Sequence, residues 1–238
     1  QDFMCDHLDT LSQAEQTFGV PASVIIGIIG VETSYGAFTG NYRVLDTLST
    51  LAFNSPRRID FWQNELAKFL QMCYVYHINP ETFRGSIDGG FGLSQFMPSS
   101  YMEYAVTTKP GQAPNLLQAD DAIMSIANYL KRHGWKANQA VVLNIKPAKK
   151  TCQALTCNSK ELSHTVHNWR TNGVNINRSI SDYTQAELVT LQTTYTPNGW
   201  LAFNNFYTIF TYNHSLKYAM VVYQLGNAVT SAVRRNGC

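Results

Sequence analysis

The sequence predicts a mainly α-helical protein with a small β-rich domain inserted between helical parts. Apolar residues recur at helical spacing through most of the first 134 residues. After Trp135 the chain becomes rich in Asn, Thr and Ser, and its apolar runs are short and alternating. Helical spacing returns near Tyr218. A chain of 238 residues is long enough to bury a substantial core, in one large domain or two smaller ones.

The first predicted helices carry clear start and stop signals. Residues 8–18 form an amphipathic pattern that ends at Gly19, and Pro21 fits the start of the next helix. That helix runs through VIIGIIGV. Its Gly27 and Gly30 lie three residues apart and lack side chains, so they allow another element to approach closely.

The remaining elements follow from the same patterns. Residues 61–73 have helical spacing, and the glycine-rich 85–98 is a loop leading to a short helix after Pro98. A strong helix is predicted over about 119–133 with Gly134 as its stop. Short strands such as 140–145 follow, and the last helix is marked by Tyr218, Val221, Val222, Leu225, Ala228 and Val229.

Composition excludes some classes of protein. A net charge of +2 is too small for the footprint of a nucleic-acid-binding surface. The sequence has no stretch of 18 apolar residues, so no transmembrane helix is predicted. The chain begins at Gln1 without a signal peptide, and we expect that a leader has been removed.

The five cysteines make an odd count. Cys152 and Cys157 flank four residues of a polar stretch, which fits a small disulfide loop worth about 2 kcal/mol in an oxidising compartment. A zinc site is disfavoured because no second Cys or His pair accompanies them. His164 and His167 lie in a polar region and are expected to face solvent.

Glu32 is the most informative residue of the chain. It follows an apolar helix and lies near the C-terminus of that helix. Desolvation and the helix dipole both disfavour a carboxylate there, so its pKa is expected to be raised. An acid that holds its proton near neutral pH is suited to general acid catalysis.

A second unusual segment is GSIDGGFGLSQFMPSS, residues 85–100. Its glycines permit sharp turns and close backbone approach. It is not a phosphate-binding loop, because no Lys-Ser or Lys-Thr follows. Considered with Glu32, it is typical of one wall of a sugar groove, where Ser86 and Gln95 offer hydrogen bonds.

Five pieces of the chain are distinctive: GVETSYG, LSTLAFNSPRRIDFW, GSIDGGFGLSQFMPSSY, ANYLKRHGW and NFYTIFTYNHSLKYAM. In this order and spacing they resemble the B-type (family 3) lytic transglycosylases of the bacterial cell envelope, and the resemblance runs from about residue 15 to 230. The region 136–195 matches poorly. The resemblance implies a lysozyme-like catalytic core (11–98), an α-helical domain (99–134 and 197–238) and a small β-rich domain (135–196).

The resemblance also implies functional residues. The catalytic carboxylate falls on Glu32, and an arginine pair near the stem peptide falls on Arg57 and Arg58. Guanidinium forks suit stem-peptide carboxylates, although two solvated surface arginines remain the alternative. The implied sugar contacts are Ser86, Gln95, Phe96, Tyr129, Tyr212, Asn213 and Tyr218.

The implied reaction cleaves the β-1,4 bond between N-acetylmuramic acid and N-acetylglucosamine and forms a 1,6-anhydro ring. One carboxylate, first acid and then base, suffices for this, whereas ordinary glycosidases need two. The alternatives are a muramidase that uses water and an inactive peptidoglycan-binding scaffold. No cofactor is expected, and the expected partners are glycan strands and stem peptides. We expect a periplasmic monomer of a Gram-negative bacterium, with outer-membrane lipid anchoring and enzyme partners left open.

The chain departs from the family pattern at two places. Asp88 stands where a small neutral residue is usual, and it is either solvated in a turn or a second carboxylate that permits hydrolysis. Some members carry an EF-hand-like loop after QFMPSS, but residues 107–115 contain no carboxylate here. No metal is therefore expected there.

Overall fold

The computed structural model describes residues 1–145, 152, 155–177, 179–192 and 197–238. Its helices are α1 Asp2–Asp6, α2 Leu8–Phe18, α3 Ala22–Thr33, α4 Val44–Asn54, α5 Ile59–Val75, α6 Pro98–Tyr104, α7 Ala119–Arg132, α8 Val166–Thr171, α9 Asn204–Phe210 and α10 Leu216–Asn236. Its strands are β1 Tyr42–Arg43, β2 Arg84–Gly85, β3 Val142–Ile145, β4 Glu187–Gln192 and β5 Pro197–Ala202. The mainly α class with small sheets is confirmed.

The chain separates into two units. The first consists of residues 1–132 and 225–238, and the second of residues 133–224. Helix α10 contributes its residues from Leu225 onward to the first unit. The division into three domains that the resemblance implied stays a prediction.

The core of the first unit is built around α3. Ile25, Ile26, Ile28 and Ile29 of this helix have no exposed side-chain surface, and α2 and α7 pack against it. Helix α5 packs against α4 and α6. The helix ends follow local chemistry, since Gly19 takes the left-handed conformation that closes α2.

Glycines allow α10 to approach α3 closely. A Cβ at Gly226 would lie 1.8 Å from the carbonyl oxygen of Ser23 and 3.4 Å from the amide nitrogen of Gly27. A Cβ at Gly30 would lie 2.8 Å from Cδ2 of Leu225. The predicted close approach at Gly27 and Gly30 is therefore confirmed.

The second unit contains a three-stranded antiparallel sheet in the order β3-β5-β4. Leu201 of β5 pairs with Leu143 on one side and Leu188 on the other. The predicted short strands are confirmed at β3 and β4, and the sheet continues into β5 beyond residue 196. Parts of the predicted β-rich segment, at 146–151, 153–154, 178 and 193–196, lie outside the described residues.

Helix α8 packs against this sheet and was not predicted from the sequence. Its Trp169 is fully buried, and the indole Nε1 donates a hydrogen bond to the carbonyl of Ala186 at 2.7 Å. A reciprocal pair of hydrogen bonds between Thr165 and Asn168 caps its first turn. Six residues are too few to show a helical period in sequence.

The expectation that His164 faces solvent was wrong. Its side chain is only 23% exposed, and Nδ1 lies 2.9 Å from Oε2 of the fully buried Glu187. Glu187 also accepts hydrogen bonds from the backbone N–H groups of Ser163 and His164. The buried carboxylate thus collects donors from the segment before α8. His167, by contrast, is exposed.

Two disulfides are present among the described residues. The predicted Cys152–Cys157 loop is confirmed. The second bridge was not predicted from the sequence, and it joins Cys5 and Cys238 across a separation of 233 residues. Cys73 is a buried thiol, and burial raises its pKa.

No single helix within the described ranges has the length and apolar character needed to cross a membrane. Helices α2 and α3 pass such a test only as a pair, and they meet at a bend of 117°.

Candidate active site

Glu32 lies in the last turn of α3, as predicted. The side chains of the preceding turns are buried, whereas Glu32 itself is half-buried. The helix ends one residue later, where Ser34 adopts the left-handed conformation and its N–H donates to the carbonyl of Gly30. The carboxylate therefore stands at the end of a rigid apolar helix and keeps access to solvent, as a group that meets a substrate must.

Thr33 holds the turn that follows Glu32. Ser34, Tyr35 and Gly36 all have positive φ angles, of 49°, 61° and 92°. Such conformations are costly for residues other than glycine and need support from their surroundings. The Thr33 hydroxyl, which is buried, accepts the N–H of Gly36 at 3.0 Å and donates to the carbonyl of Ile29 at 3.1 Å.

The glycine-rich loop is folded on itself around Ser86. The Ser86 N–H donates to the carbonyl of Gly90 at 2.7 Å, and the N–H of Gly90 donates to Ser86 Oγ at 3.1 Å. Because Oγ accepts this bond, its own O–H remains able to donate. A Cβ at Gly85 would lie 2.4 Å from the carbonyl oxygen of Gly90, so the loop cannot close this tightly around a larger residue.

Gln95 fastens the same loop to the segment after α3. Its Nε2 donates to the carbonyl oxygens of Thr39 at 3.1 Å and Gly92 at 2.9 Å. Both amide hydrogens are thus engaged, and Oε1 is the atom left to accept a bond from a ligand. Ser86 and Gln95 together offer one donor and one acceptor in the same folded loop.

Phe96 and Tyr129 are much more buried than a sugar-stacking surface requires. Their side chains are 2% and 8% exposed, and their ring centroids lie 5.7 Å apart. Tyr104 extends the cluster, with its ring centroid 5.0 Å from that of Tyr129. These rings belong to the core of the first unit, so direct sugar contact by Phe96 and Tyr129 stays a prediction.

The arginine pair lies at the start of α5. Arg57 and Arg58 are both exposed, and Arg58 has a φ of 58°. The Arg58 guanidinium lies 3.9 Å from the ring centroid of Phe61 and 5.7 Å from that of Trp62. Stacking of this kind restricts the guanidinium while leaving its N–H edge open to a carboxylate.

Tyr212, Asn213 and Tyr218 belong to the second unit. The rings of Tyr212 and Tyr218 are stacked, with an interplanar angle of 11° and centroids 6.2 Å apart. Asn213 is exposed between α9 and α10, and its N–H donates to the carbonyl of Phe210. The structure therefore groups these three residues around one turn.

Asp88 is exposed at the tip of the glycine loop. It lies within a turn in which the N–H of Gly89 donates to the carbonyl of Ser86 at 3.0 Å. This environment fits the solvated turn residue of the two alternatives.

Two acidic residues with a positioning role were missed in the sequence. Glu65, which is 1% exposed, accepts the N–H of Ser99 at 2.9 Å and its hydroxyl at 2.6 Å, and so fixes the start of α6. Asp121, which is 4% exposed, accepts the N–H groups of Thr108 at 2.7 Å and Asn115 at 2.8 Å. The only sequence signal was a carboxylate on an otherwise apolar helix face.

The segment 107–115, where no metal is expected, is closed by these bonds to Asp121. Across the part of the chain that the structure describes, no group of three or more His, Cys, Asp and Glu side chains is arranged to hold a metal ion.

The chain is similar to known proteins of one family. Residues 1–227 match the model of the transglycosylase SLT domain. The chain is 40% identical over 231 residues to membrane-bound lytic murein transglycosylase B of Escherichia coli (strain K12). That alignment covers 97% of this chain and 63% of the relative, so the chain spans less than two thirds of its length.

Two solved structures from Pseudomonas aeruginosa have the same fold. The catenated lytic transglycosylase SltB1 has a TM-score of 0.92 and 37% identity, over 97% of this chain and 76% of SltB1. SltB3, solved in complex with NAG-NAM-pentapeptide, has a TM-score of 0.83 and 28% identity, over 95% of this chain and 61% of SltB3.

Proposed function

Because the chain belongs to the transglycosylase SLT domain family, we propose that it is a peptidoglycan lytic transglycosylase with Glu32 as its catalytic residue. The substrate would be the β-1,4 bond between N-acetylmuramic acid and N-acetylglucosamine. The observation that carries the proposal is the position of Glu32, a partly exposed carboxylate at the end of a buried helix in the unit that also contains the glycine loop.

The reaction needs one carboxylate in two successive roles. Glu32 in its protonated form gives its proton to the glycosidic oxygen as the bond to the muramoyl anomeric carbon breaks. The resulting carboxylate then takes the proton of the muramoyl C6 hydroxyl, whose oxygen attacks the anomeric carbon and closes the 1,6-anhydro ring. Glu32 ends protonated, and no water is consumed.

The folded loop supplies polar contacts of opposite kinds. Ser86 Oγ–H is a donor and Gln95 Oε1 is an acceptor, which together suit an N-acetyl group with its carbonyl and N–H. The guanidinium of Arg58 is restricted by stacking on Phe61, and together with Arg57 it suits a stem-peptide carboxylate. The stacked Tyr212 and Tyr218, with Asn213, are proposed as sugar contacts of the second unit.

The family relationship supports a periplasmic enzyme of a Gram-negative bacterium. Anchoring to the outer membrane, partnership with other cell-wall enzymes and the monomeric state are proposals that rest on the resemblance alone.

Product analysis tests the proposed function. Purified sacculi are digested with the wild-type protein and with Glu32→Gln, and the fragments are analysed by mass spectrometry. We expect anhydro-muramoyl ends from the wild type and a loss of activity of roughly 10²–10⁴-fold in the variant. Asp88→Asn is the matched control and should release the same products as the wild type.

Two results would contradict this assignment. Fragments heavier by one water would identify a muramidase, and their loss in Asp88→Asn would give the second carboxylate a role. Equal release by the wild type and Glu32→Gln would remove Glu32 from the mechanism.

A further inference from the structure

The second unit contains a cavity of about 680 Å³. Its lining includes none of the residues proposed for catalysis or substrate binding at the Glu32 site. Its walls come from three segments, at 136–140, 179–185 and 203–204. All of them belong to the second unit. The volume is in the range of pockets that hold small ligands.

The first wall, residues 136–140, is fixed by the buried side-chain amide of Asn205. Asn205 has no exposed side-chain surface, and its Oδ1 accepts the N–H of Lys136 at 2.9 Å. Its Nδ2 donates to the carbonyl oxygens of Lys136 at 2.8 Å and Gln139 at 2.9 Å. The backbone of this wall is therefore held in one conformation, while the side chains of Lys136 and Gln139 stay exposed.

The second wall, residues 179–185, is held by hydrogen bonds from residues of helix α8. The Arg170 guanidinium donates to the carbonyl of Ile180 at 2.9 Å and pairs with the carboxylate of Asp182. The N–H groups of Val166 and His167 donate to the carbonyls of Thr184 at 2.8 Å and Asp182 at 3.1 Å. Both walls are thus set before any ligand arrives, which lowers the entropy cost of binding.

The lining has the chemistry of a carbohydrate site. Tyr183 is 91% exposed, which leaves both faces of a large ring in solvent. Asn138, Gln139 and Gln185 line the cavity and are exposed, so their side-chain amides can offer donors and acceptors to a ligand. Ala140, Ile180 and Phe203 add apolar surface.

Charge narrows the class of ligand. Lys136 is the one charged residue among the described lining residues, and a single exposed cation is too little for a polyphosphate. The mixture of an open aromatic ring, amides and hydroxyls fits a sugar, whose C–H faces stack on rings and whose hydroxyls bond to amides.

We propose that this cavity is a second saccharide site, separate from the Glu32 site, that binds N-acetylated amino-sugar oligosaccharides. The choice of amino sugar rests on the proposed function, because a transglycosylase that acts on a polymer gains from a further hold on the same strand. Tyr183 provides the stacking platform, and Gln139 of the 136–140 segment provides a hydrogen-bonding amide.

A binding experiment tests this site without any turnover. Glu32→Gln protein is titrated with tri-N-acetylchitotriose, and the backbone amide resonances are followed by NMR. We expect shifts at residues 136–140 and 179–185. Tyr183→Ala and Gln139→Ala should each weaken the binding reported by these resonances, with a loss of roughly fivefold for the aromatic contact.

Tyr74 provides the matched control, because it is 83% exposed on α5 of the first unit. Tyr74→Ala should bind as tightly as its parent, and maltotriose, which lacks N-acetyl groups, should bind more weakly than the amino sugar. Shifts confined to the glycine loop, equal binding by the Tyr183→Ala protein, or equal binding of maltotriose would each overturn the proposal. None of these outcomes depends on the products from sacculi, so a failure of the saccharide site can be distinguished from a failure of the proposed function.

Discussion

The hydroxyl of Thr33 accepts the backbone N–H of Gly36 at 3.0 Å. This bond spans the three consecutive residues with positive φ that follow Glu32. The backbone carbonyl of Thr33 accepts a second hydrogen bond, from the N–H of Phe38 at 3.0 Å. The residue next to the proposed catalytic acid therefore supports the whole turn by which the chain leaves α3.

We predict that Thr33→Val impairs catalysis more than substrate binding. The change removes the acceptor for the Gly36 N–H at a cost of about 1 kcal/mol. A small misplacement of Glu32 should then lower kcat by about tenfold with little change in KM. Thr33→Ser keeps the hydroxyl and should restore most of kcat. Steady-state kinetics on soluble glycan, with thermal melting in parallel, would show this, and an unchanged kcat in Thr33→Val would contradict it.

Asp121 is predicted to be the main support of the segment 107–115. Its buried carboxylate takes bonds from Thr108 and Asn115, and bonds to charged groups contribute about 1.5–3 kcal/mol. Asp121→Asn should lower the free energy of unfolding by about that amount in urea titrations. The control Asp88→Asn alters an exposed carboxylate and should leave the midpoint unchanged. Equal stability of the two variants would argue against this role.

The two disulfides should differ in their effect on stability. In the chain-entropy model the Cys5–Cys238 bridge contributes about 5 kcal/mol and the short Cys152–Cys157 loop about 2 kcal/mol. Paired Cys→Ser variants of each bridge, compared by thermal and urea unfolding, test this order. A larger loss for the short loop would contradict the model.

Gly226→Ala should be among the most damaging single-methyl additions in the chain. The added Cβ would lie 1.8 Å from the carbonyl oxygen of Ser23, and both groups belong to helix backbones that cannot move apart locally. We expect a loss of roughly 3 kcal/mol or more. Asn227→Ala, the next position of α10, is the matched control. Equal melting temperatures for the two variants would show that α3 and α10 separate easily.

The wall of the saccharide cavity should loosen in acid. The hydrogen bond from Arg170 and its positive charge lower the pKa of Asp182 below its ordinary value. Because the pKa of Asp182 is lower in the folded state, the ionised carboxylate stabilises the fold at pH values above its unfolded pKa of about 3.9. That stability is lost as the pH falls through the folded-state pKa. The protection of the amides of residues 179–185 from exchange, relative to an unfolded chain at the same pH, should fall over this range in the wild type. In Asp182→Asn this protection should be low and should change little with pH over the same range, and an acid response identical to that of the wild type would remove Asp182 from the effect.

Local chemistry explains which elements the sequence could predict. Gly19 and Gly134 mark helix ends because a left-handed residue closes a helix there, and that signal lies in a few neighbouring residues. Glu32 was found for a similar reason, since a carboxylate after an apolar helix is unusual within its own segment. The short helix α8 was missed because its stability comes from burying Trp169 against the sheet.

The missed parts of the site depend on residues far apart in the chain. Glu187 meets His164 across 23 residues, and Glu65 meets Ser99 across 34. No pattern in one segment indicates which distant donor a buried carboxylate will find. The same holds for the carbonyl of Thr39, which accepts a hydrogen bond from Gln95 across 56 residues, and for the Cys5–Cys238 bridge.

The discontinuous first unit has a consequence for the order of folding. Residues 133–224 form one continuous stretch, so their core needs no residue from outside this range. The α3 helix that carries Glu32 must wait for residues 225–238, because Gly226 and Leu225 pack against it. As the chain emerges from its N-terminal end, we therefore expect the unit with the proposed saccharide cavity to complete its core before the unit that contains the proposed catalytic acid.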